Sequence, residues 1–81
     1  MKDDINEIKV MRRILDFVFI GDQEYMVSTM YTIDNGLETL VFKCRNQEII
    51  DWFDLYSRRY NSIDDAREGH SEIVNNIEKY I

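Results

Sequence analysis

Tyr25-Met26-Val27-Ser28-Thr29-Met30-Tyr31-Thr32-Ile33-Asp34-Asn35-Gly36-Leu37-Glu38-Thr39-Leu40-Val41-Phe42-Lys43-Cys44 sets two runs rich in β-branched and aromatic residues on either side of Asn35-Gly36. Asn-Gly between such runs is the strongest local signal for a hairpin, because a type I′ turn needs positive φ at both central positions. With Asn35-Gly36 as a two-residue loop, Asp34 closes against Leu37. Tyr31 then faces Leu40, Thr29 faces Phe42 and Val27 faces Cys44. Together with Ile33 these side chains share one face, since strand residues alternate with period two. Ser28, Met30 and Thr32 oppose Lys43, Val41 and Thr39 on the other. A three-residue loop puts Val27 opposite Lys43 and Ser28 opposite Phe42, which mixes the two sets. The two-residue loop is therefore the expected register.

Working outward, Leu15–Ile20 is a short apolar run suited to a strand buried on both faces. Gly21-Asp22-Gln23 reads as the turn that returns it antiparallel to the strand of Tyr25. Residues 3–15 read as an amphipathic helix: Asp3 or Asp4 caps it, Ile5, Ile8, Met11 and Leu15 recur at helical spacing, and Arg12 and Arg13 lie late. A strand through Ile8, Val10, Arg12 and Ile14 competes, at the cost of an inward arginine. Beyond Cys44, Arg45-Asn46-Gln47 is a second turn. Glu48–Phe53 reads as a fourth, edge strand with Trp52 as a core anchor. The conformation of Asp54–Asn61 is left open by its sequence.

The clearest helix comes last. Ser62 with Asp65 three residues on resembles a capping box. Ala66, His70, Ile73, Ile77 and Tyr80 mark one face, with Val74 and Ile81 beside it. Gly69 costs about 1 kcal/mol relative to Ala inside a helix, which close approach to the sheet would offset. The expected architecture is a single α+β domain over 1–81. It comprises an antiparallel sheet of three to four strands, a C-terminal helix packed on one face and an N-terminal helix.

Composition narrows the function classes. Sixteen acids and ten bases leave a net charge of −6, with the excess in residues 21–44 and 63–81. Direct nucleic-acid binding needs a basic footprint, so it is not expected. A basic partner, including a nucleic-acid-binding protein, suits this field, although charge also serves solubility. No apolar run approaches the roughly 18–20 residues of a bilayer span. The acidic start does not fit a signal peptide, so a cytoplasmic location is expected. The lone Cys44 excludes an internal disulfide and reads as a small buried hydrophobe in a reducing compartment.

One histidine and one cysteine do not make a zinc site, the glycines are isolated, and no elbow motif places a nucleophile. Neither a metal, a cofactor nor a catalytic residue is expected. His70 on the inner helix face reads as a hydrogen-bonded core histidine rather than a general base. Arg58, Arg59 and Tyr60 could grip a phosphate or carboxylate, with His70 nearby, although paired surface arginines more often meet acids. Asp64, Glu68 and Glu72 form an outward stripe. Residues four apart rise about 6 Å, close to the phosphate spacing along a nucleic-acid strand, so the stripe could enter a basic groove or simply face water. Asp22 and Glu24 add acids in the turn before Tyr25.

Val27-Ser28-Thr29-Met30-Tyr31, Glu38-Thr39-Leu40-Val41-Phe42, Arg59-Tyr60, Ala66 and Gly69-His70, in that order, resemble the motifs of a family of small bacteriophage and prophage proteins. Leu40 stands where that family usually has methionine, Asp65 where it has glutamate, and the Asp34–Gly36 loop is far shorter. The resemblance covers residues 27–74 and implies a genetic setting, since the family has no established activity. By analogy with other small acidic phage accessory proteins, which often block or redirect a host machine, the expected function is that of a non-catalytic protein that binds a host or phage protein, such as an inhibitor of a CRISPR-type defence nuclease. Its contacts would come from Asp64, Glu68, Glu72, Asp22 and Glu24. One alternative is a structural or regulatory homo-oligomer, a homodimer for example, joined through Met26, Met30 and Val41. Another is a small-ligand or nucleotide binder using Arg58, Arg59, Tyr60 and His70.

Overall fold

The computed structural model describes residues 12–81, so most of the helix expected over 3–15 lies outside the described residues. Its last positions, Ile14 and Leu15, are strand. The described residues form five antiparallel strands and one helix: β1 Ile14–Ile20, β2 Gln23–Thr32, β3 Gly36–Arg45, β4 Glu48–Ile49, β5 Tyr56–Tyr60 and α1 Ile63–Asn75, with a 3₁₀ turn at Ile77–Lys79. The sheet runs β1-β2-β3, and both β4 and β5 pair with the outer side of β3. The architecture is thus α+β with more strands than expected. The extra one, β5, arises from the Tyr-Ser-Arg-Arg-Tyr stretch whose conformation was open.

Tight turns set the early strands. Gly21 (φ +59°) opens a two-residue loop that pairs Ile20 with Gln23. Glycine at the first loop position is the signature of a type II′ hairpin. The next turn departs from expectation. Only Gly36 has positive φ there (+70°), and Asn35 does not, so the type I′ turn is not formed. The loop is Ile33–Asn35, Thr32 pairs with Gly36, and Thr32 Oγ1 accepts the Asn35 N–H at 3.1 Å.

The register follows from this and inverts one strand relative to the other. Tyr31 pairs with Leu37, Thr29 with Thr39, Val27 with Val41 and Met26 with Phe42. Tyr31 and Phe42 therefore point to opposite sides, contrary to the reading above. Val41 likewise lies across the sheet from Met26 and Met30, which removes it from the expected oligomer contact. The physical reason is that the sheet is apolar on both sides. One cluster joins Tyr25, Val27, Val41, Ile73 and Ile77 beneath α1, and a second joins Met26, Phe42 and Cys44 with Phe17, Leu40 and Ile49 on the back. When both faces are buried, a slip no longer exposes apolar groups, so amphipathic pattern loses its power to choose.

The type I′ geometry appears instead at Asn46 (φ +53°) and Gln47 (φ +67°), between Arg45 and Glu48. Both oxygens of Glu24 accept the Gln47 N–H at 3.2 Å, which helps hold a turn that contains no glycine. The strand after it is far shorter than expected: β4 ends at Ile49, and Ile50–Leu55 leaves the sheet.

Helix α1 starts as its cap forecasts, with Ser62 Oγ accepting the Asp65 N–H at 3.1 Å. Ala66, Gly69, His70, Ile73 and Ile77 are buried, the inner face read from spacing. The close approach expected at Gly69 is made by Tyr60, whose ring atoms would lie 2.3–2.6 Å from a Cβ placed there.

Candidate functional site

His70 sits between α1 and the sheet, 3% exposed. Its Nε2 lies 2.7 Å from Asp16 Oδ2 on β1, and its Nδ1 lies 2.7 Å from Thr29 Oγ1 on β2. Thr29 Oγ1 is hydrogen-bonded to Thr39 Oγ1 on β3, which is 2.8 Å from Tyr60 Oη on β5. The register that pairs Thr29 with Thr39 creates this line, so each of the four long strands contributes one member.

Donor bookkeeping gives the line a direction. A carboxylate only accepts, so Nε2–H donates to Asp16, and in that tautomer Nδ1 accepts from Thr29. Thr39 then donates to Thr29, and Tyr60 donates to Thr39. Burial pushes the Tyr60 phenol upward from its ordinary value, against the opposing pull of its Thr39 hydrogen bond. Among the described residues no buried side-chain polar atom lacks a partner. Such a saturated network rigidifies and specifies a packing arrangement.

Carboxylate, imidazole and hydroxyl in sequence have the order of an activated nucleophile. Here Thr29 is fully buried and its oxygen is occupied on both sides, so no substrate reaches it. The chemistry this arrangement performs is polar cross-bracing of five elements. His70 is thus the hydrogen-bonded core histidine expected from its position. Its partners Asp16, Thr29 and Thr39 carry no local motif that would have singled them out.

The arginines and the acidic stripe, read as separate features, meet in one cleft of about 510 Å³ whose lining includes Arg58, Arg59, Tyr60, Glu68 and Glu72. Arg58 is engaged within the chain. Its Nε donates to Tyr56 Oη and its Nη1 to Glu72 Oε1, both at 2.9 Å, while the rings of Tyr56 and Tyr80 lie 5.5 and 5.3 Å from its guanidinium carbon. These hydrogen bonds, Tyr56 first and Glu72 next, raise Arg58 further above its already high value. The Tyr80 hydroxyl and then Arg58 hold Glu72 below the usual carboxylate range. Arg59 is the more open arginine, with its side chain 67% exposed, and it donates to Asn35 Oδ1 at 3.0 Å. Arg58 and Glu72 therefore clamp β5 to α1, which removes Glu72 from the free acids of the stripe.

Asp64 and Glu68 on α1 and Asp22 in the first turn are exposed. Glu24 is not: it is 5% exposed and occupied by the Gln47 turn, so it is a structural acceptor and not a surface contact. Glu24 also adds to the burial that pushes the Cys44 thiol up to about 11.

The largest departure is Trp52. Instead of anchoring the core it is 76% exposed, and Phe53 is 85% exposed. They crown the segment Ile50-Asp51-Trp52-Phe53-Asp54-Leu55, which leaves β3 and returns to it. The Ile50 N–H donates to Lys43 O at 3.1 Å and the Leu55 N–H to Val41 O at 2.8 Å. Inside the loop, Asp51 Oδ1 accepts the Phe53 N–H at 3.0 Å, and Trp52 packs edge-on against Phe42 at 5.8 Å between centroids. The loop is pinned at both ends and displays four large apolar side chains among two acids. Its signal in the sequence was that same interleaving of acids with aromatics, which a strand assignment absorbed.

Among the described residues no group of three or more metal-ligating side chains comes together, and no helix is long and apolar enough to cross a membrane. Comparison with protein-family models, curated proteins and solved structures gives no match.

Proposed function

We propose that this chain is a non-catalytic protein-binding module whose principal contact is the Ile50–Leu55 loop. The observation that carries the reading is a tryptophan and a phenylalanine held in water on a hydrogen-bonded loop. Exposed aromatic anchors are the side chains that dominate binding energy when a partner's pocket covers them. Asp51 and Asp54 flank the anchors, so the fitting pocket is apolar with a basic rim. The net charge of −6 favours encounter with such a surface, and the exposed acids Asp22, Asp64 and Glu68 contribute to that field.

The resemblance to small phage proteins supplies the setting. The partner is a host or phage protein, and a nucleic-acid-binding defence nuclease has the basic character required. Affinity capture from bacterial lysate by the wild-type chain and by a Trp52→Ala/Phe53→Ala variant tests the reading. A protein retained by the first and lost by the second supports it. Equal retention by both removes the loop from the interface.

A further inference from the structure

The two edges of the sheet are built differently. The outer side of β3 ends in β5, where Arg58 and Arg59 interrupt the strand, and in the short β4 followed by Asp51. Charges and brevity are the usual devices that stop edge strands from pairing. The β1 edge is longer and carries a single charge. Ile14-Leu15-Asp16-Phe17-Val18-Phe19-Ile20 is seven residues long and contains no lysine, arginine or proline. Among the described residues it pairs with β2 alone, and it leaves Phe19 64% and Leu15 39% exposed on the back face. Its one charge, Asp16, is turned to the helix face and bound to His70.

We infer that β1 pairs antiparallel with β1 of a second copy of this chain, about a twofold axis at Phe17, forming a homodimer with one continuous sheet. The register is self-complementary. Placing Phe17 opposite its own copy sets Ile14 against Ile20, Leu15 against Phe19 and Asp16 against Val18. The two most exposed apolar side chains of the strand therefore cover each other, twice. Asp16 meets an apolar residue and not its own copy. At each end of the paired strands, Arg12 of one copy, just before β1, then lies beside the Gly21–Asp22 turn of the other. Arg12 and Asp22 are exposed, and symmetry forms this opposite-charge contact at each end of the interface.

No other axis along β1 matches both the apolar pair and the charged pair, so charge complementarity selects this partner. The aromatic loop is tied to β3 at the opposite edge of the sheet, with Trp52 against Phe42 on the same back face, and takes no part. The dimer is independent of the partner reading above and would display two copies of that loop.

The test is sedimentation velocity on the full chain between about 1 and 100 µM, the range in which small interfaces associate. Wild type is expected to shift from monomer to dimer. Arg12→Glu, and separately Asp22→Arg, each place like charges at both ends and should weaken the dimer by about tenfold or more. Combining Arg12→Glu with Asp22→Arg swaps the pair and should restore wild-type affinity. Phe19→Lys should abolish the dimer, and an unchanged melting temperature shows that the fold is intact. A wild-type chain still monomeric at the highest concentration overturns the inference. So does a dimer indifferent to Arg12, Asp22 and Phe19, or one lost only with Trp52→Ala/Phe53→Ala.

Discussion

Gly69 and Tyr60 show how one absent methyl group positions a network. The Tyr60 ring occupies the space that a Cβ at position 69 would take, and from there its hydroxyl reaches Thr39. Gly69→Ala gains about 1 kcal/mol of helix propensity. It nevertheless is expected to destabilise the chain by about 2 kcal/mol, because the ring must move and its hydrogen bond is lost. In a Tyr60→Ala background the same substitution should become neutral or stabilising, a sign change that denaturant melts can read. His70→Ala leaves the buried Thr29 hydroxyl without its imidazole partner and opens a cavity under α1, and should cost about 2–4 kcal/mol by the same measurement. Cys44 supplies a pH dependence. The folded chain holds the thiol proton more tightly than the unfolded chain, at about 11 against 9.0. Its contribution is therefore intact below pH 9 and declines as pH rises toward 11. Tyr60, raised by burial, acts in the same sense at higher pH. Stability measured from pH 8 to 11 should fall, and less steeply for Cys44→Ala.

Among the elements, α1 was legible because helical spacing and a cap residue are local signals. Ser62, Ala66, His70, Ile73 and Ile77 do in the structure what their positions imply. The strand of Leu15–Ile20 was legible as an apolar run, but not its place: expected to be buried on both faces, it ends the sheet among the described residues and leaves Leu15 and Phe19 exposed. The hairpin register was not legible, since it depended on assuming one buried face, whereas β2 is buried continuously from Glu24 to Thr29. Strand β5 was hidden by Arg58, whose charge is met by Glu72 and two tyrosine rings, partners distant in sequence. Trp52 was misread because size alone suggests a core anchor, and nothing local says that hydrogen bonds at Ile50 and Leu55 will lift the segment off the sheet. The candidate site was legible in part. Arg58, Tyr60, Glu68 and Glu72 were named before the fold brought them to one cleft, while the loop anchors were not. Because the loop is exposed, Trp52→Ala/Phe53→Ala should lower stability by less than about 1 kcal/mol in denaturant melts, far below the 3–5 kcal/mol typical of deleting a buried aromatic.

At the scale of the whole molecule, the fold separates bracing from display. The polar line from Asp16 to Tyr60 and the Arg58 clamp hold α1 to the sheet. That leaves two surfaces free of internal work: the β1 edge and the aromatic loop. A small domain has little core to spare, so large aromatics held in water are best explained by a partner that covers them. Trp52 is the only tryptophan, and 5-fluorotryptophan labelling followed by fluorine NMR therefore observes the proposed contact alone. In the free chain a solvent-exposed resonance is predicted, shifting between light and heavy water. On adding clarified bacterial host lysate it should move and broaden, and a chain with Asp51→Lys and Asp54→Lys should keep its free-state signal. A resonance that is shielded from solvent in the free chain, or unchanged by lysate, would contradict the account.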